Sequence, residues 1–158
     1  MNNQLPLGLI KPDEVASYCE MVHQDSERIV FTNGCFDILH VGHLRYLQQA
    51  KDLGDVLFIG LNSDASVRLL KGTKRPVQSE LDRAEILLGL KSVDCVCIFS
   101  EETPLELIKK VKPDILVKGG DWKPEQIVGR DFVESYGGMV KSLPFVEGHS
   151  TTEILSRV

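Results

Sequence analysis

RIVFTNGCFDILHVGH, residues 28–43, is the stretch that decides the fold. Ile29, Val30 and Phe31 form a short apolar run that ends at Gly34, the pattern of a buried strand. From Val41 the apolar positions change to helical spacing, with Leu44, Leu47 and Ala50 following. A strand therefore hands over to a helix across a polar, glycine-containing turn. His40 and His43 stand at that handover, three residues apart, which puts both imidazoles on one helical face. Gly42 between them has no side chain, so a ligand could approach the backbone closely. The free N–H groups and positive dipole end of a helix start suit an anion.

Outward from this junction the pattern repeats. DVLFIGL (55–61), VDCVCIF (93–99), DILVKG (114–119) and MVKSLPF (139–145) read as four further strands. Helical runs occupy 41–53, 64–71 and 80–91. Thr103-Pro104 can cap and start another helix that ends before Pro113. One or two short helices fall within 124–136, and Ser150 to Val158 closes the chain as a helix. An opening helix spans 12–26, with Pro12 near its start and Asp13 and Glu14 in its first turn.

Strands alternating with helices predict an α/β fold with a mainly parallel, five-stranded, doubly wound sheet. Ligands of such sheets bind beyond the carboxyl ends of the strands. Four polar groups follow strand ends here: Asn33 to His43, Asn62 to Asp64, Lys118 to Trp122, and His149 to Thr152. They are expected to converge on one face. No repeat, low-complexity tract or linker interrupts the chain. Its 158 residues read as one domain, with 1–27 as an N-terminal helical extension packed on it.

Composition narrows the function classes. Lys and Arg number 18 against 23 Asp and Glu, a net charge of −5, which suits non-specific nucleic-acid binding poorly. No apolar run approaches the roughly 18 residues of a membrane span. The N-terminus lacks the basic start and apolar block of a secretory signal. Cys19, Cys35, Cys95 and Cys97 are too sparse for a disulfide framework and read as reduced thiols of a cytoplasmic chain. Cys95 and Cys97 share one face of a buried strand, but no second ligand pair follows at zinc spacing, so no metal residue is named.

For the two histidines, phosphate binding is the reading that local chemistry favours. Surface or satisfied-core imidazoles are the bland alternative. A metal pair is the other, although the Glu of H-E-x-x-H is missing and the spacing differs. The dinucleotide fingerprint G-x-G-x-x-G is absent, because only Gly34 and then Gly42 follow the first strand.

H-x-G-H behind a strand and preceded by NGCFD resembles the signature of the nucleotidylyltransferase superfamily. Glycerol-phosphate and choline-phosphate cytidylyltransferases, pantetheine-phosphate adenylyltransferase and class I aminoacyl-tRNA synthetases belong to it. The longer string FTNGCFDILHVGH resembles its cytidylyltransferase-like branch, with a Rossmann-like fold. GLNSDASVRLLKG (60–72), RPV (75–77), VKGGDWKPEQIVG (117–129) and STTEI (150–154) are similar to D-glycero-β-D-manno-heptose 1-phosphate adenylyltransferases. That domain is often fused behind a sugar kinase, for which this chain has no room, so a stand-alone form is expected. The tripeptide GDW also occurs in glycerol-phosphate cytidylyltransferases and does not fix the base.

The resemblance implies attack by a sugar 1-phosphate oxygen on the α-phosphorus of ATP, with release of pyrophosphate. It assigns His40 and His43 to the triphosphate, and Lys71 to a mobile cationic loop that also holds Lys74 and Arg75. Asn33, Gly34, Cys35, Phe36, Asp37 and Gly42 would line the nucleotide pocket, largely through backbone N–H groups. Lys118, Gly119 and Asp121, beside Trp122, would border the base or ribose, or the sugar phosphate. Ser150, Thr151 and Thr152 open the last helix as a second anion site, or as a plain cap. Asn62, Asp64 and Arg83 are assigned to the acceptor side. Asp64 could equally cap its helix, and Arg83 could bind phosphate or pair with Glu80 or Glu85. Mg²⁺ is expected with the nucleotide, held mainly by phosphates and water. Partners are small molecules only, with no nucleic acid and no membrane; a homodimer rests on family analogy. The competing functions are a cytidylyltransferase acting on glycerol 3-phosphate or a related phosphate, and a nucleotide-binding module without turnover.

Overall fold

The computed structural model describes residues 4–145 and 147–158. Its helices and strands are α1 (Val15–Gln24), β1 (Ile29–Gly34), α2 (Val41–Lys51), β2 (Val56–Asn62), α3 (Asp64–Lys71), α4 (Glu80–Leu88) and β3 (Cys95–Phe99). There follow α5 (Leu105–Val111), β4 (Ile115–Gly119), a 3₁₀ turn (Pro124–Gln126), α6 (Arg130–Ser135), β5 (Met139–Leu143) and α7 (Thr151–Leu155). The strand order is β3-β2-β1-β4-β5, and every pairing among these strands is parallel. The order reverses direction beside β1, which makes the crevice between the β1 and β4 ends the natural ligand position.

Alternation along the strands builds two cores. Val56 and Phe58 of β2 face α1, α5 and α6. Leu57, Ile59 and Leu61 face α2 and α4. Every β2 residue is buried, as expected of a strand covered on both sides. Cys95 and Cys97 share a face, as their spacing predicts, and pack with Cys19 in the first of these cores. Burial pushes the Cys19 thiol up to about 12 and the Cys97 thiol to about 11. No group of three or more His, Cys, Asp or Glu side chains is placed to hold a metal among the described residues.

Several boundaries differ from the sequence reading for identifiable reasons. The opening helix begins at Val15 rather than at residue 12, and Glu14 makes no side-chain cap. Ahead of it, Leu9 bridges to Val96 in parallel, with Ile10 N donating to Val96 O at 2.8 Å. That short segment covers the outer edge of β3, and so few residues carry no periodic signal. The fourth helix ends at Leu88, one residue before Gly89, rather than at 91. Strand β5 stops at Leu143, because Pro144 has no N–H to donate.

Arg83 of α4 joins these elements. It is 1% exposed. Its Nη1 donates to Cys35 O at 2.6 Å and to Asn62 O at 2.8 Å. Its Nε donates to Gln78 O at 3.1 Å, and its Nη2 to Asp64 Oδ1 at 2.8 Å. The segment after β1, the end of β2, the start of α3 and the approach to α4 all meet on one guanidinium.

Two stability predictions follow from this packing. A Cβ on Gly60 would lie 2.8 Å from Phe31 Cζ and 3.1 Å from Leu107 Cδ2. Gly60→Ala is therefore expected to lower the unfolding free energy by roughly 1–3 kcal/mol, the usual cost of overfilling a packed core. Arg83→Met removes four donors and leaves the Asp64 carboxylate without its buried partner. Its expected loss is about 3–5 kcal/mol, the scale for breaking a buried ion pair from one side. Urea unfolding of both variants checks these values, and a loss under 1 kcal/mol for Arg83→Met would refute its linking role.

Candidate active site

A cavity of about 480 Å³ opens at the carboxyl edge of the sheet. Asn33, Gly34, Cys35, Phe36 and Asp37 reach it from the end of β1, with His43 and Tyr46 from α2. Asn62, Leu70, Lys71 and Arg75 come from the end of β2 and from α3 with its following loop. Glu102, Thr103 and Pro104 follow β3; Lys118 and Gly119 end β4, with Trp122 and Val128 beyond it; Phe145 and Thr151 follow β5. The four polar groups expected to converge each contribute to this wall. His40, Gly42, Asp64, Arg83, Asp121, Ser150 and Thr152 are not part of it.

The two imidazoles form the start of α2. His40 is the N-cap in extended backbone rather than a residue inside the helix, and its Nδ1 accepts from Gly42 N at 3.1 Å. His43 Nδ1 accepts from His40 N at 3.4 Å. The rings stack with centroids 3.9 Å apart and planes 28° apart. Accepting at Nδ1 leaves the proton of each neutral ring on Nε2, so both rings present an N–H outward. Burial, then the charges of His40 and Lys71, pushes His43 down to about 4. Burial and His149 lower His40 as well, against Glu153. Both shifts favour the neutral ring, and the Nδ1 contacts favour its proton on Nε2. Phe36 supports His43 from below, edge-on at 5.5 Å, from a left-handed backbone at φ 45°.

Three expected roles are corrected by this geometry. Gly42 does not open its backbone to a ligand. Its N–H bonds His40, and a Cβ there would meet the His40 ring at 2.8 Å and His149 Cβ at 3.2 Å. The glycine makes room for imidazoles. Asp64 does not cap α3: Ser63 is the cap, accepting from Ser66 N, and Asp64 pairs with Arg83. Arg83 in turn pairs with neither Glu80 nor Glu85 and does not reach the cavity. Glu80 instead accepts from Asp64 N at 2.7 Å.

Asp37 turns its side chain to the loop after α3. It accepts from Arg75 Nε at 2.6 Å, Val77 N at 2.9 Å and Gln78 N at 3.0 Å. Burial alone would push this carboxyl up; the two amides and the guanidinium overcome it and hold the carboxyl below its usual range. Arg75 is thereby committed to Asp37, whereas Lys71 lines the cavity and Lys74 does not. Lys118 is half-buried, which lowers its ammonium, and its Nζ lies 5.2 Å from the Trp122 ring. Burial pushes the Cys35 thiol up, against the pull of Lys71, Arg83 and Arg75, so it is held as a thiol and makes a poor nucleophile.

Ser150 Oγ caps α7 by accepting from Glu153 N at 3.1 Å. Thr151 Oγ1 donates to Ile38 O at 3.2 Å, which ties α7 to the turn before the histidines. Sequence reasoning missed Tyr46, Leu70, Glu102, Thr103, Pro104, Val128 and Phe145 as lining residues. Tyr46 lies one turn beyond His43 on α2, which was a usable signal; its hydroxyl lies 2.6 Å from Thr32 Oγ1. Phe145 lies over Gly119 and Gly120, where added Cβ atoms would approach its ring to 3.0 and 2.7 Å. The double glycine thus accommodates an aromatic ring from a distant segment, which no local pattern announces.

The chain matches the cytidylyltransferase-like family over residues 31–157. The bifunctional protein HldE of Geobacter metallireducens is 58% identical over 146 residues, which is 92% of this chain and 30% of that protein. HldE of Pelobacter propionicus is 59% identical over the same shares. HldE of Trichlorobacter lovleyi is 48% identical over 98% of this chain and 36% of its own length. The chain therefore spans about a third of the curated relatives it matches. A crystal structure of a lipopolysaccharide core biosynthesis protein from Thermoplasma volcanium superposes with a TM-score of 0.62 at 29% identity, covering 78% of this chain and 99% of that one. The family match over most of the chain, with histidine donors and lysines around a cavity at the carboxyl edge of a parallel sheet, makes this chain a member of the cytidylyltransferase-like family of nucleotidyltransferases.

Proposed function

We propose that the chain transfers AMP from ATP to D-glycero-β-D-manno-heptose 1-phosphate, giving ADP-heptose and pyrophosphate in a bacterial cytoplasm. The observation that carries the reaction type is the cavity's chemistry: the His43 imidazole in its wall with the His40 ring stacked on it, Lys71 and Lys118, and no activated nucleophile. The acceptor identity is supported by the heptose-type strings at 60–72, 117–129 and 150–154, by the HldE relatives, and by the neighbour described as a lipopolysaccharide core biosynthesis protein.

A phosphate monoester is largely dianionic at pH 7, with a second pKa of about 6. An oxygen of the acceptor phosphate forms a bond to the α-phosphorus while the bond to the pyrophosphate oxygen breaks, and no proton need move. Catalysis is then positioning and charge stabilisation. Nε2–H of His40 and His43 donates to the phosphate oxygens, and Lys71 and Lys118 offset the combined negative charge. Asn33 to Asp37 shape the nucleotide pocket, and Asp37 holds the loop that follows Lys71. The donor set suits a Mg²⁺ that arrives on the triphosphate, with phosphate and water ligands, better than one caged by protein.

Pyrophosphate release is the test, with ATP or CTP against heptose 1-phosphate or glycerol 3-phosphate. ATP with the heptose is expected to be fastest. Faster turnover with CTP and glycerol 3-phosphate would move the chain to a cytidylyltransferase, and no release with any pair would make it a binding module. His43→Ala and His40→Ala are each expected to lower kcat by roughly 10²–10³, the scale for removing one preorganised donor. Lys71→Ala should impair activity more than Lys74→Ala, because only Lys71 lines the cavity. Equal effects in the lysine pair would mean that the loop acts as diffuse charge.

A further inference from the structure

The strand order sorts the cavity into two halves. His43 lies between them, in the first turn of α2, which follows β1. On the β4–β5 side Trp122 and Phe145 present aromatic faces, suited to a purine ring. On the β2–β3 side the wall carries the polar groups Asn62, Lys71, Glu102 and Thr103, beside Leu70 and Pro104. With a base on the aromatic half and the α-phosphate at His43, the acceptor occupies the β2–β3 half; this placement rests on the reading of the chain as an adenylyltransferase.

Two carboxylates line this cavity among the described residues, and they differ in occupancy. Asp37 is saturated by Arg75 and two amides. Glu102 has no hydrogen-bond or ion-pair partner among the described residues, while its neighbour Glu101 turns back to Ser100 N at 3.1 Å. An unpaired carboxylate repels phosphates, so facing a site for two of them it suits the uncharged part of a ligand. Ionised, it is an acceptor only, and a sugar offers hydroxyl donors in adjacent pairs that two carboxylate oxygens can take. Thr103 completes the chemistry. Its Oγ1 accepts from Leu105 N at 3.4 Å at the start of α5, which leaves its O–H free to donate to a sugar oxygen.

We propose that Glu102, seconded by Thr103, forms the subsite that reads the hydroxyls of the acceptor sugar and so sets which sugar 1-phosphate is used. Both side chains are exposed at the cavity mouth, so replacing them leaves the core intact. The experiment measures kcat and both KM values for the wild type, Glu102→Gln, Glu102→Ala and the control Glu101→Gln, with thermal melts and a Mg²⁺ titration of each. In both Glu102 variants the KM for heptose 1-phosphate is expected to rise about tenfold or more, the range for a lost hydrogen bond to a charged group. The KM for ATP and the Mg²⁺ dependence should stay within about twofold of the wild type, and Glu101→Gln should match the wild type throughout. Unchanged KM for the sugar phosphate in the Glu102 variants overturns the subsite. A raised Mg²⁺ requirement with unchanged sugar KM overturns it as well, and makes Glu102 a cation ligand. A wild type inactive with every sugar 1-phosphate defeats the adenylyltransferase reading itself, and the inference with it.

Discussion

A guanidinium buried beneath the strand ends is the constraint on which the site depends. Where β1 and β2 leave the sheet, their carbonyls lose ladder partners, and an unpartnered buried carbonyl is costly. Arg83 supplies the missing donors to Cys35 O and Asn62 O and also takes Gln78 O and Asp64. A buried cation is tolerable here because its planar fork matches four acceptors at once. The same contact fixes how the turn after β1 lies relative to the end of β2. The cavity wall from Asn33 to Asp37 therefore has a defined position before any ligand arrives.

The second level is electrostatic. The chain is acidic overall, yet the charges facing the cavity are mostly cationic. Asp37 and Arg75 cancel each other and act as a clasp between the turn after β1 and the loop after α3. Lys71 and Lys118 line the cavity with no ion-pair partner among the described residues. The imidazoles follow another logic. Stacked at 3.9 Å, two cations would repel, and both rings are pushed toward the neutral form. Since the folded pKa of His43 lies below its ordinary value, acid favours unfolding as pH falls from about 6.5 toward 4. Above that window the rings donate without a change of charge.

How much of this was legible in the sequence depends on the range of the interaction. The alternation of buried strands and helices is a local signal, and the parallel sheet was readable from it down to the exact span of α3. The turn from Asn33 to His43 was readable because a strand, a glycine and a helix start adjoin in sequence. Arg83 and Asp64 were visible as polar residues, but not as partners 19 positions apart. Gly42 was read as space for a ligand because spacing says nothing about which side chain folds back over a glycine. Phe145 reads in the sequence as the end of a strand that in fact stops at Leu143, and Glu102 lies in a segment without a periodic signal; only the strand order brings them to the cavity. Residues 8–10 escaped for the opposite reason, because one parallel bridge is too short to leave a pattern.

The division of the cavity follows from that same strand order. In a sheet ordered β3-β2-β1-β4-β5, the loops on the two sides of β1 come from different parts of the chain. Segments after β4 and β5 bring Trp122, Phe145 and a paired glycine that lets the Phe145 ring lie close to the backbone. Segments after β2 and β3 bring Lys71, Glu102 and Thr103. The central turn, carrying the two imidazoles, is held on one side by Arg83 and on the other by Thr151, whose hydroxyl reaches Ile38 O. The turn is thus braced from both sides, and Asp37 clasps it to the loop after α3 as well. Donors of a fixed geometry at the centre suit a phosphoryl transfer that is the same for every acceptor. Glu102 and Thr103 make none of these contacts, so side chains in that part of the wall can change without disturbing the centre.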